Sequence, residues 1–198
     1  MDHFHPIQKI LKTLLLCFNK IEKMKYNIDT IAPESKFVFF WGHQPSKDGK
    51  ILKTCFSQWW LSSFKVDKVT YKTAEHWMMA KKAELFNDQE ILEKILEADS
   101  PAEAKKLGRE VKNYVDTVWL ENRYEIVKQG NFHKFSQNAD LKTFLLNTKE
   151  RVIVEASPVD PIWGIGMAED HKDVLKPEAW KGLNLLGFVL MEVRDELR

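Results

Sequence analysis

The sequence predicts an α+β protein, a mostly helical single domain with a small β-sheet. Three observations support this. The run 36–41 and the run 151–155 are aromatic or β-branched and bounded by turn residues, as strands are. Between and after them lie several segments of 3.6-residue periodicity with marked helix starts. No linker, repeat or low-complexity tract divides the 198 residues, and 44% hydrophobic content is enough for one sizeable core.

The elements follow in order. Ile7, Ile10, Leu11, Leu14, Phe18 and Ile21 fall at helical steps, with Lys9, Lys12, Lys20 and Lys23 elsewhere on the cylinder. Residues 1–30 are therefore expected to carry an amphipathic N-terminal extension ahead of a domain spanning 36–198. Packing on that domain is the favoured reading, a dimer or partner contact the main alternative, and a peripheral membrane contact a minor one. Residues 26–34 read as a connector. The run 36–41 is a strand ending at Gly42, and 55–60 reads as a second aromatic strand. Residues 64–66 and 69–71 flank Asp67-Lys68 as a hairpin. Thr73 caps a helix with Glu75 in its first turn, where the positive helix end favours a carboxylate. Ser100-Pro101-Ala102-Glu103 is a capping box, with Gly108 as the expected stop. Val115, Val118, Trp119, Asn122 and Ile126 form one stripe of a longer helix expected to stop near Gly130. Leu141, Phe144 and Leu145 mark a short helix after Asn138, and Leu186, Val189, Leu190, Val193 and Leu197 share a face of the last helix.

Composition excludes several functions. With 30 Lys+Arg against 29 Asp+Glu, the net charge of +1 does not bind nucleic acid or an anionic membrane by bulk charge, although a local basic pocket for a phosphate remains open. Cys17 and Cys55 alone make neither a disulfide framework nor a cysteine zinc site. The histidines lack metal-ligand spacing, and no HExxH, GxSxG or P-loop motif occurs. The expectation is a reduced, cytoplasmic protein with no metal and no cofactor.

Two segments stand out chemically. On a helical wheel Glu75, Met79, Lys82 and Phe86 fall within an arc of about 60°, so a carboxylate and an ammonium occupy an apolar stripe. Seven residues separate them, about 10 Å along the axis, too far for an i,i+4 pair. Either both snorkel at the rim or each meets another partner or a ligand. The second segment, 155–166, follows a strand and offers Glu155, Asp160, Trp163, Gly164 and Gly166. It is no dinucleotide fingerprint, since the third glycine and the following helix start are missing. It is either a rigid structural loop or a wall on which a base stacks. Trp41, Trp59 and Trp60 supply three of the seven tryptophans; strand alternation sends Trp59 and Trp60 to opposite faces, one into the core and one toward a pocket.

In this order the segments resemble the NADAR, or YbiA-like, family. The matching blocks are Phe40-Trp41-Gly42, Phe56-Ser57-Gln58-Trp59-Trp60, and Tyr71 through Lys82 with Glu75 and His76. Later blocks are Ser100-Pro101 to Gly108-Arg109, Lys134 to Asn138, Glu155 to Asp160, Trp163 to Gly166, Trp180 to Gly187 and Leu190 to Arg194. They run from about residue 36 to 198; the family says nothing of the N-terminal extension, and Asp67-Lys68 stands where Asp-Gly is common. The resemblance implies the YbiA-like fold and an N-glycosidase acting on N-ribosyl bonds. Its substrates would be ADP-ribosylated guanine or phosphoribosyl-amine intermediates of riboflavin biosynthesis. It also implies Lys82 as a Schiff-base lysine, with Glu75 or Asp160 as the carboxylate that stabilises oxocarbenium character. Phe40, Trp41, Gly42, Trp59, Trp60, His76, Glu155, Trp163, Gly164, Gly166 and Asn184 are the expected ligand-binding residues. The partner is a ribosylated small molecule or modified base, with contact to modified nucleic acid as an option and no membrane. A non-catalytic ADP-ribose- or NAD-binding module is the alternative, and a structural or toxin–antitoxin partner a third.

Overall fold

The computed structural model describes residues 24–198; the helix predicted over residues 7–21 lies outside the described residues. Residues 24–30 do not continue a helix. They bend into one 3-10 turn, Ile28–Thr30, because the Asn27 side chain accepts from Thr30 N while Asn27 N donates to Thr30 Oγ1.

Two strands far apart in the chain, β1 (Phe37–Phe40) and β4 (Val152–Glu155), pair in parallel, with Phe37 opposite Val152 and Phe40 opposite Glu155. Between them β2 (Phe64–Val66) and β3 (Val69–Tyr71) form an antiparallel hairpin. Its turn residues Asp67 and Lys68 have φ of 48° and 71°, the double left-handed geometry of a tight two-residue hairpin. The predicted small sheet is thus two two-stranded pieces among the described residues.

Among the described residues six α-helices surround them: α1 (Ala74–Leu85), α2 (Gln89–Glu97), α3 (Pro101–Arg109), α4 (Asp116–Gln137), α5 (Ala139–Leu146) and α6 (Leu185–Glu196). The predicted starts at Thr73 and Ser100 hold: their side chains accept from His76 N and Glu103 N. The return arm of the Ser100 box goes one residue further back, where Asp99 N donates to Glu103 Oε2. Helix α1 lies at the centre, packed against α2, α3 and α4, while α6 packs against α4 and β4. No helix among the described residues is long and apolar enough to cross a membrane.

Three sequence expectations are corrected. The segment 55–60 is not a strand: Lys53–Phe56 is a 3-10 turn, and the backbone beyond it is held by side chains and a helix start rather than by a sheet neighbour. Helix α4 does not stop at Gly130 but runs on to Gln137. Gly130 is there for clearance, since a Cβ would lie 2.4 Å from Cδ1 of Trp77 on the crossing helix α1. Gly108 likewise sits within α3, buried against Met79, and the helix ends one residue later.

Candidate active site

Because β1 and β4 are parallel neighbours, both chains leave the sheet at the same edge, the place where ligands meet open parallel sheets. A cavity of about 710 Å³ opens there. Its walls come from five parts of the chain: the exit of β1 (Trp41, Gly42, His43), residues 57–59, one face of α1, the end of α3, and the loop after β4. Trp119 of α4 closes one side.

The α1 face is the stripe read from the wheel: Glu75, Met78, Met79 and Lys82 all reach the cavity. Glu75 does not snorkel. It is 2% exposed, and its Oε1 has no hydrogen-bond partner. Burial pushes its pKa up to about 7, with Asp160 adding to the rise while Lys105, the Trp59 indole and Arg109 oppose it. Lys82, two turns further along the same face, donates from Nζ to Gly108 O at 2.7 Å and lies over the rings of Tyr114 (4.5 Å) and Trp119 (5.6 Å). Partial burial and then the nearby Arg109 lower its pKa.

Opposite, β4 ends at Glu155, whose buried Oε2 is also unpartnered. Burial, then the charges of Asp160 and Glu75, push it up to about 8. The following loop is wound around Asp160: its Oδ1 accepts from Ile162 N at 2.9 Å and Trp163 N at 2.8 Å. Gly164 lets this loop close onto the strand, for a Cβ would lie 2.8 Å from Glu155 O. Asn184, at φ 51°, latches it from behind, its Oδ1 accepting from Glu155 N and its Nδ2 donating to Ile153 O. Helix α3 brings Lys105 and Arg109, one turn apart on its cavity side, and Lys105 Nζ stands 5.7 Å above the Trp59 ring. Three carboxyl groups thus share a space with three cations and indole faces. That combination suits an anionic ligand with a planar group and an acid–base step.

The NADAR domain family matches residues 39–198 of this sequence. The chain is 43% identical over 166 residues to N-glycosidase R617 of Acanthamoeba polyphaga mimivirus, an overlap of 81% of this chain and 96% of that protein. It belongs to the NADAR family. N-glycosidase YbiA of Escherichia coli (strain K12) is 32% identical over 142 residues, 72% of this chain and 78% of that one. The NMR structure of E. coli YbiA matches with a TM-score of 0.64 at 29% identity, covering 82% of this chain and 85% of the other. As a NADAR protein with N-glycosidases for relatives, it is a hydrolase acting on N-glycosyl bonds.

Within this NADAR domain the residues expected at the site fall into two groups. Lys82, Glu75, Asp160, Trp41, Gly42, Trp59, Glu155 and Trp163 line the one cavity. The others stand outside its wall. Phe40 is fully buried and stacks edge-on with Phe56. His76 is buried at the start of α1, its Nδ1 on Thr73 Oγ1 and its Nε2 on Ala98 O. Trp60 lines a smaller neighbouring hollow of about 350 Å³, with Leu61 and Pro101. Gly164, Gly166 and Asn184 hold the loop that carries Trp163; Gly166 N donates to Asp160 O, and Asn184 N to Gly164 O. Sequence reading missed Lys105, Arg109, Trp119, Gln58 and Ser157. The signal for the first two was the i,i+4 pair flanking Gly108 on a helix whose inner face must be small.

Proposed function

We propose that this NADAR protein hydrolyses an N-ribosyl bond, with ADP-ribosylated guanine or phosphoribosyl-amine intermediates of riboflavin biosynthesis as the substrate class. One observation carries the reading: Glu75 and Glu155 each present a buried, unpartnered carboxyl oxygen in the cavity that also holds the Lys82 amine. Carboxyls with pKa values near 7 and 8 hold protons at neutral pH and can protonate a departing ring nitrogen. The Asp160 carboxylate stands by for positive charge at the anomeric carbon. Lys105 and Arg109 suit the phosphate of a ribosyl phosphate or diphosphate, and the indoles of Trp59 and Trp163 suit a planar base.

In a covalent route the free amine of Lys82 attacks C1′, the C1′–N bond breaks as the base leaves with a proton from a carboxyl group, and the resulting carboxylate takes a proton back from Nζ. The glycosylamine opens to an imine on Nζ, and water releases the sugar and restores the amine. The desolvation that lowers the Lys82 pKa enlarges the fraction of free amine. The test is to incubate purified protein with ADP-ribosyl-guanosine, NAD and a phosphoribosyl-aminopyrimidine and detect free base by mass spectrometry. Release of base from one of them, with borohydride trapping the sugar on Lys82, supports the reading. Tight binding of all three with no release from any supports a non-catalytic module instead.

A further inference from the structure

Helix α4 turns a polar seam toward the segment between the 3-10 turn Lys53–Phe56 and the hairpin. Asn131 Nδ2 donates to Gln58 Oε1 at 2.8 Å, Lys134 Nζ to Cys55 O at 2.7 Å and to Ser57 O at 2.8 Å, and Asn138 Nδ2 to Ser63 O at 3.2 Å. The spacing i, i+3, i+7 keeps all three on one side of the helix. Lys134 is the unusual member. It is 0% exposed, and its hydrogen-bond partners are two carbonyls rather than a carboxylate. Burying an amine without a counter-charge is costly, and a methionine would fill similar volume without that cost.

What the amine holds explains its presence. Residues 55–59 have no strand partner, so their carbonyls need donors from elsewhere. Ser57, tied to Lys134, is followed by Gln58, whose carbonyl accepts from Glu75 N at 3.0 Å, and by Trp59, which lines the cavity with Glu75. A connected path thus runs from the buried amine to the first turn of α1. An amine also suits the task in either charge state: the neutral form still carries two N–H groups for the two carbonyls. The tie therefore survives the burial that pushes its pKa down to about 7.

We infer that Lys134 is a positioning residue of the glycosidase site, fixing the backbone of residues 55–59 so that the Gln58 carbonyl holds Glu75 N, and with it the start of α1, and Trp59 keeps its place on the cavity wall beside the Glu75 carboxyl. The catalytic part of this statement rests on the proposed role of Glu75; the tie itself is readable without substrate. The experiment compares Lys134→Met, Lys134→Gln, which keeps a shorter two-hydrogen donor, and Ile95→Ala, a core deletion in α2. Two quantities are read on folded protein: the Trp59 indole N–H resonance, assigned with Trp59→Phe, and kcat and KM on any cleaved substrate. Lys134→Met should move or broaden the Trp59 resonance and lower kcat at least tenfold, with KM within about threefold because Lys105 and Arg109 remain on α3. Lys134→Gln should fall between it and wild type, and Ile95→Ala should move neither quantity. An unmoved Trp59 resonance in Lys134→Met overturns the inference, as does an equal change in Ile95→Ala. If neither Lys134 variant folds, the residue serves folding and the inference falls. Absence of turnover in wild type would count against the proposed reaction alone, since the resonance still reports the tie.

Discussion

Lys81 and Lys82 are adjacent in sequence, yet α1 turns them to different surroundings. Lys81 pairs with Glu84 at 2.7 Å and lies over the outer face of Trp77 at 4.7 Å, whereas Lys82 reaches into the cavity. Lys82→Ala should lower kcat by at least about a hundredfold with the fold retained, and Lys81→Ala by less than about threefold. Steady-state kinetics beside a circular-dichroism melt decides this, and equal losses would sink the role given to Lys82. Glu75 makes a prediction about stability. The folded protein holds its proton up to about pH 7, while the unfolded chain releases it near the ordinary 4.5, so in between the folded state binds more protons. Its contribution is complete below pH 4.5 and is lost as pH rises through about 7; Glu155, raised to about 8, acts in the same direction. Glu75→Gln should therefore match wild type near pH 4 and be more stable by roughly 3 kcal/mol above pH 8. Denaturant melts at the two pH values measure it, and a variant less stable than wild type at pH 8 would refute the assignment of a strained, buried carboxyl.

At the scale of elements, the crossing of α1 and α4 is set by one missing methyl group. Alanine at position 130 would gain roughly 1 kcal/mol of helix propensity. Its Cβ would also press on the Trp77 ring at 2.4 Å, and that ring is anchored by Nε1 donating to Ile126 O at 2.7 Å. Overpacking should win, and Gly130→Ala should cost a net 1–3 kcal/mol, roughly, read as a lower unfolding midpoint. A stabilised variant would mean the helices separate easily. The same crossing shows why the predicted helix end was misplaced: glycine is read as a stop from local propensity, but here it answers a contact with another helix. Thr73 and Ser100 were legible because a cap is completed within three residues of itself. The segment 55–60 was not, since its aromatic composition suits a strand while its hydrogen bonds go to α4 and α1.

For the whole molecule, the cavity-lining residues all lie between Trp41 and Trp163, well after the N-terminal extension. Met24, Tyr26, Ile28 and Ile31 nevertheless pack against the core, and Tyr26 Oη donates to Asp195 Oδ2 at 2.7 Å, beside Lys25. A chain beginning at Met24 should catalyse as well per folded molecule as the full-length protein, within about twofold. One beginning at Lys36 should be less stable by roughly 2 kcal/mol or more, from lost apolar burial rather than from the exposed Lys25 pair. Active-site titration and thermal melts of the two truncations check this; equal melting would show that residues 24–35 contribute nothing to the core.

By itself the sequence determined the α+β class, most helix starts, the hairpin, and the stripe on which Glu75 and Lys82 face one way. These follow from periodicities and caps that act over a few neighbouring residues. Tertiary structure alone decided that the stripe meets a cavity rather than solvent, that Lys105 and Arg109 complete it, and that Asn184, Gly164 and Gly166 serve as its scaffold. The reason is the parallel pairing of β1 with β4, a contact between distant segments that brings two loop exits to one edge, and no local pattern encodes that meeting.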